Sequence, residues 1–192
     1  MKVFYRWFSL IIGVKMNYTQ EGNIIGLDTN VLVDMVESKD FKDNIRQEIN
    51  LGVLKIYTTN IVLAEAREVL KRKRGYSNEE ATESLQNILK EFNIIKIEHN
   101  KEGNELGKQW LEDIKKKVRI KEFKTFPTDC KILANLFKQV KINVYITEDR
   151  DIEKTVKILK LPFEVRIIGE ASQIKDFEVK RFFKEQFKRA IQ

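Results

Sequence analysis

The chain has 192 residues, 42% of them hydrophobic and 34% charged, with only two prolines, which suits one domain with a sizeable core and excludes an intrinsically disordered chain. Lysine and arginine outnumber the acids 36 to 29, and the resulting formal charge of +7 favours a polyanionic partner such as RNA or DNA. The single cysteine, Cys130, excludes an internal disulfide framework and suits a reducing cytoplasm, where a buried, inert thiol is expected.

In chain order, Met1 to Lys15 carries two basic residues and then an apolar run, Trp7 to Val14, broken by Ser9. The run is far shorter than the roughly 20 residues that span a bilayer, and no small-residue cleavage site follows it. Residues 1–22 therefore read as an appendage, either an extra element packed on the domain or translation from an upstream start ahead of Met16, and no membrane span is expected. Ile24 to Leu27 reads as a strand ending at Asp28, and Val31 to Val36 as the helix after it. A helix over 41–50 leads to a strand at Lys55 to Thr58. Thr59-Asn60 then caps a helix that runs through Lys71-Arg72-Lys73-Arg74 to a stop at Gly75.

Ser77-Asn78-Glu79-Glu80 starts another helix, to about Phe92, followed by a strand at Ile94 to Ile97. Residues 101–117 read as a solvated, charged helix. Pro127-Thr128-Asp129 starts a helix with Ile132, Leu133, Leu136 and Phe137 on its apolar face. A strand at Val144 to Ile146 ends at Thr147-Glu148-Asp149-Arg150-Asp151, and a helix from Ile152 to Lys160 and a strand from Val165 to Ile168 close the pattern. Such alternation predicts an α/β fold, a three-layer α/β/α sandwich around a parallel sheet, over residues 23–170. Residues 171–192 read as a basic amphipathic helix packed on that domain, or as a dimer or RNA contact.

In open parallel sheets the functional crevice lies beyond the carboxyl ends of the strands. Asp28 and Asp149 each follow a strand directly, Glu65 lies early in the helix after the second strand, and Asp129 lies in the first turn of its own helix. Four gathered carboxylates repel one another unless a cation offsets their charge. Oxygen ligands suit Mg²⁺ or Mn²⁺, and two such ions roughly 3.5 to 4 Å apart serve in-line displacement at a phosphodiester.

Asp28-Thr29-Asn30 after an apolar strand, Glu65, Asp129, and Thr147 to Asp151 occur in the order found in PIN domains, and the chain resembles that ribonuclease family, including its VapC-like toxins, over about residues 23–169. The resemblance implies Mg²⁺- or Mn²⁺-dependent hydrolysis of single-stranded or looped RNA. It implies Asp28, Glu65, Asp129 and Asp149 as catalytic metal ligands, Asp151 as an accessory ligand, and Thr29, Asn30 and Thr147 as positioning groups. An antitoxin protein and a homodimer are the partners it implies. Glu148 departs from the family's usual T-N-D and adds an acid beside the site. The N-terminal fifteen residues, the charged helix 101–117 and the C-terminal helix are additions to the small toxins of the family.

Each acid also has an ordinary reading: Asp28 as a helix cap, Glu65 as a lysine partner, Asp129 as an acid favoured by a helix dipole, Asp149 as a turn residue. A non-catalytic RNA-binding or assembly protein on the same fold, and a structure-specific DNA nuclease, are the rival functions. His99 is the only histidine and reads as a loop residue, which leaves imidazole-based chemistry little to draw on. The run Lys71 to Arg74 is either a solvated helix end or a phosphate clamp. Lys115 to Lys117, Arg119 and Lys121, with Phe123 and Phe126, form a second candidate path for RNA, the aromatics reading more readily as core.

Overall fold

The computed structural model describes residues 23–50, 53–117 and 126–167. The expected appendage (1–22), the C-terminal helix (171–192), Arg119, Lys121 and the side chains of Phe123 and Phe126 lie outside the described residues. The chain runs through β1 (Asn23–Leu27), α1 (Thr29–Glu37), α2 (Lys39–Asn50), β2 (Val53–Thr59), α3 (Asn60–Arg74), α4 (Asn78–Glu91), β3 (Ile94–Ile97), α5 (Lys101–Lys117), α6 (Phe126–Val140), β4 (Val144–Thr147), α7 (Arg150–Leu159) and β5 (Glu164–Ile167). Among the described residues no helix is long and apolar enough to cross a membrane.

The five strands pair in parallel in the order β3-β2-β1-β4-β5. The chain steps outward from β1 through β2 to β3, then returns to the other side of β1 for β4 and β5. That reversal sets the carboxyl ends of β1 and β4 side by side, the usual place for a site in such a sheet. Helices cover the sheet as a three-layer sandwich: α1 packs against α2, α3 and α4, whereas α5 packs against α6 and α7.

Local chemistry explains most element ends. Ser77 and Glu80 form a reciprocal capping box at the start of α4, with Glu80 N–H donating to Ser77 Oγ at 3.1 Å and Ser77 N–H to Glu80 Oε2 at 2.8 Å. The Thr59 hydroxyl accepts from Val62 N–H at 3.2 Å to cap α3, and Gly75 ends that helix at φ +78°, a left-handed conformation that glycine adopts without a Cβ penalty. Val31, Leu32, Val33 and Met35 bury most of α1 in the main core.

One expectation is overturned. Helix α5 is not a solvated helix: Gly103, Gly107, Trp110 and Ile114 form a buried stripe along it, and its two glycines let α6 approach closely. An ideal Cβ on Gly107 would stand 2.7 Å from the Lys131 Cα. Beside it the fully buried Asn135 accepts from Asn100 N–H at 2.9 Å and donates to the Lys131 carbonyl at 2.8 Å and to Asn104 Oδ1 at 3.1 Å, fastening the β3–α5 loop to α6.

Candidate functional site

The parallel register brings the acids together. Leu27 pairs with Ile146, so the next residues, Asp28 and Thr147, are neighbours at the same sheet edge, and Asp28 N–H donates to the Ile146 carbonyl at 3.0 Å. Asp28 caps α1, accepting Thr29 N–H at 2.8 Å, and is only 8% exposed. The Thr147 hydroxyl donates to Asp28 Oδ2 and accepts from Asp149 N–H at 2.9 Å, so one side chain ties two of the acids. The Thr29 hydroxyl donates to Glu65 Oε2 at 2.9 Å and couples the tip of β1 to α3. Asp149 lies exposed at the rim as the cap of α7.

Electrostatics show that Asp129 joins them. Its carboxyl is pushed up to about 7, first by burial and then by the charges of Asp28, Asp149 and Glu65. Burial raises Asp28 too, although the Thr147, Thr29 and Tyr145 donors pull it back, and burial raises Glu65 against its Thr29 hydrogen bond. The four expected acids, from four separate elements, thus lie near enough to feel one another's charge without converging. Their donors are oxygens alone, the set that suits a hard divalent cation. Among the described residues, no three acids converge closely enough to grip an ion as they stand.

The remaining expected residues divide. Asn30 is exposed in the first turn of α1. Asp151 is held by Lys154 at 2.7 Å on the surface, and its own N–H donates to Asp149 Oδ1 at 2.7 Å. Glu148 turns to Asp34 on α1: burial pushes its carboxyl up to about 7, helped by a hydrogen bond and repulsion from Asp34 and then by Asp28. Cys130 is buried, its thiol pushed up to about 12 by burial and the Asp129 charge, so it is unreactive. His99 lies in the β3–α5 loop, as expected, and burial lowers its pKa.

The basic run of α3 ends far from this edge. Helices α1 and α3 both start at the acid edge, and Arg74 meets Glu37 at their far ends, 2.8 Å apart, about 20 Å of helix from Asn60. Lys71 and Arg72 both pair with Glu68. The run is a helix terminus, favourable against the helix dipole, and not a clamp at the acids.

Thr147 gives a direct test of this geometry. Thr147→Val keeps the shape but removes one donor from the buried Asp28 carboxylate and the acceptor of the Asp149 N–H, at a cost of about 1 to 3 kcal/mol. The expected result is a melting temperature lower by several degrees, recovered by Thr147→Ser, as read in thermal melts.

Known proteins bear on the fold. No curated protein matches the chain. Among solved structures, VapBC2 of Rickettsia felis bound to a promoter DNA fragment is similar at 15% identity and TM-score 0.55, over 76% of this chain and 99% of that one. DNA-bound VapBC of Salmonella typhimurium is similar at 14% identity and TM-score 0.53, over 76% and 98%. FitAcB of Neisseria gonorrhoeae is similar at 18% identity and TM-score 0.51, over 73% and 95%. The PIN domain model matches residues 25–158, well over half of the chain, and the chain therefore belongs to the PIN-domain family.

Proposed function

We propose that this protein is a metal-dependent endoribonuclease that hydrolyses RNA phosphodiester bonds in the cytoplasm. Asp28, Glu65, Asp129 and Asp149 are its catalytic acids and hold Mg²⁺ or Mn²⁺, with Asp151 as an accessory ligand once released from Lys154. The observation that carries the reading is the tying of Asp28, Glu65 and Asp149 to one sheet edge through the Thr29 and Thr147 hydroxyls, with Asp129 near enough for their charges to raise its carboxyl. A fold does not gather four carboxylates at a sheet edge without cost, and a cation converts that cost into binding energy. A bound divalent cation supplies positive charge to a phosphodiester as its leaving oxygen gains negative charge.

The chain's own residues prepare for that. Donors from Thr29 and Thr147 orient Asp28, Thr29 orients Glu65, and Thr147 fixes the start of α7 so that Asp149 stands at the rim, where a substrate arrives. Thr29 and Thr147 are thus positioning groups, with Asn30 exposed beside them. The net charge of +7 favours a polyanionic substrate. The further reading is that this chain is the toxin of a toxin–antitoxin pair, with an antitoxin as its partner, and that it forms a homodimer; the VapBC structures share its fold.

The test is cleavage of labelled single-stranded RNA with Mn²⁺ or Mg²⁺ against EDTA, for the wild type, Asp28→Asn and Asp149→Asn. Metal-dependent cutting, reduced on the order of 100-fold or more in each variant, is expected. Cutting that persists in EDTA, or is indifferent to both substitutions, overturns the reading.

A further inference from the structure

Tyr145 belongs to no expected site, yet it lies beneath the acids. It is 1% exposed, in the middle of β4, directly opposite Gly26 of β1. Residues two apart on a strand share a face, so Tyr145 lies on the face of Thr147, and Gly26 on that of Asp28. A Cβ on Gly26 would stand 2.9 Å from Tyr145 Cδ2, so the ring fills the hollow that the missing side chain leaves. With its ring so placed, Tyr145 has its hydroxyl in reach of the Asp28 carboxylate, whose pKa it lowers as a donor. Two donors from one face of β4, Tyr145 and Thr147, therefore converge on Asp28.

We propose that Tyr145 is a positioning residue of the cleavage site, its hydroxyl passing through the hollow at Gly26 to hold the Asp28 carboxylate in the orientation that grips a cation. A phenylalanine would fill the hollow equally well, but only tyrosine reaches the carboxylate with a donor. A buried carboxylate with one donor fewer turns more freely, and a ligand that must be reoriented binds its ion more weakly. The inference rests on the metal-dependent reading above, because it assigns Tyr145 a role only through Asp28.

The experiment is calorimetric titration of Mn²⁺ into the full chain, with thermal melts, for the wild type, Tyr145→Phe, Asp28→Asn and Ile142→Val. Ile142 packs against the same hollow with a side chain that carries no hydrogen-bonding group, so its variant reports packing alone. Tyr145→Phe is expected to weaken Mn²⁺ roughly tenfold, the size of one lost hydrogen bond to a charged group, and to need correspondingly more Mn²⁺ for half-maximal cleavage. Ile142→Val is expected to melt lower with Mn²⁺ affinity unchanged. If Asp28→Asn loses Mn²⁺ while Tyr145→Phe binds it as the wild type does, Tyr145 is packing only and the inference fails, with the acid site intact. If Asp28→Asn binds Mn²⁺ normally, the acid-site reading fails and the inference falls with it.

Discussion

Asp129→Asn is expected to raise the melting temperature of the metal-free protein at pH 8 and to abolish cleavage when Mn²⁺ is supplied. The Asp129 carboxyl is pushed from 3.8 up to about 7 in the fold. A carboxyl raised in this way contributes stability that is fully present below its unfolded pKa and is lost as pH rises through its folded one. The loss therefore falls between about pH 4 and pH 7, and three pKa units correspond to roughly 2 to 4 kcal/mol once coupling among the acids is allowed for. Asparagine removes the titration, so the variant should gain little at pH 4 and roughly 5 to 15 °C at pH 8. Melts in chelator across that range provide the check. The sign is diagnostic: an acid that merely complements the dipole of α6 would stabilise the protein when ionised, and its removal would lower the melting temperature at pH 8. Saturating Mn²⁺ should in turn raise the wild-type melting temperature at pH 8 by more than it raises that of the variant.

Why some of this was visible in the sequence and some was not follows from the range of each interaction. Asp28 and Asp149 are legible because a short apolar run ending in an acid marks a strand tip, and parallel strands put their tips at one edge. Glu65 and Asp129 are legible only through the order of motifs, since nothing near either one states that it faces β1. Tyr145 is not legible because its partner lies across the sheet; the one signal is Gly26, a glycine in a strand, which often marks close approach of another group. Glu148 stands out as an extra acid, but its turn towards Asp34 depends on how α1 leaves β1. Strand ends shifted by one or two residues, as at β2, which begins at Val53 instead of Lys55. The buried stripe of α5 is hard to read because two of its four buried positions are glycines, which carry no hydrophobic signal, so its apolar periodicity is faint.

Those glycines carry the second large effect. Gly107→Ala should gain about 1 kcal/mol from helix propensity, so a reading from local sequence predicts stabilisation. The packing predicts the reverse. The added Cβ would meet the Lys131 Cα at 2.7 Å and the Cys130 carbonyl oxygen and Lys131 nitrogen at 2.9 Å, all of them backbone atoms that cannot rotate away. Helix α6 must move, at a cost of about 1 to 3 kcal/mol, and it carries Asp129 only two residues before Lys131. A shift of about 1 Å in a catalytic group can cost on the order of 100-fold in rate, so cleavage should fall more steeply than stability. Lys108→Ala, on the exposed face of the same helix, supplies the propensity control and should leave both nearly unchanged. A Gly107→Ala protein that melts higher than the wild type and cleaves normally would show that α5 and α6 can separate without disturbing the acids. One that melts lower and cleaves about 100-fold more slowly would show that the spacing between these two helices sets the position of Asp129.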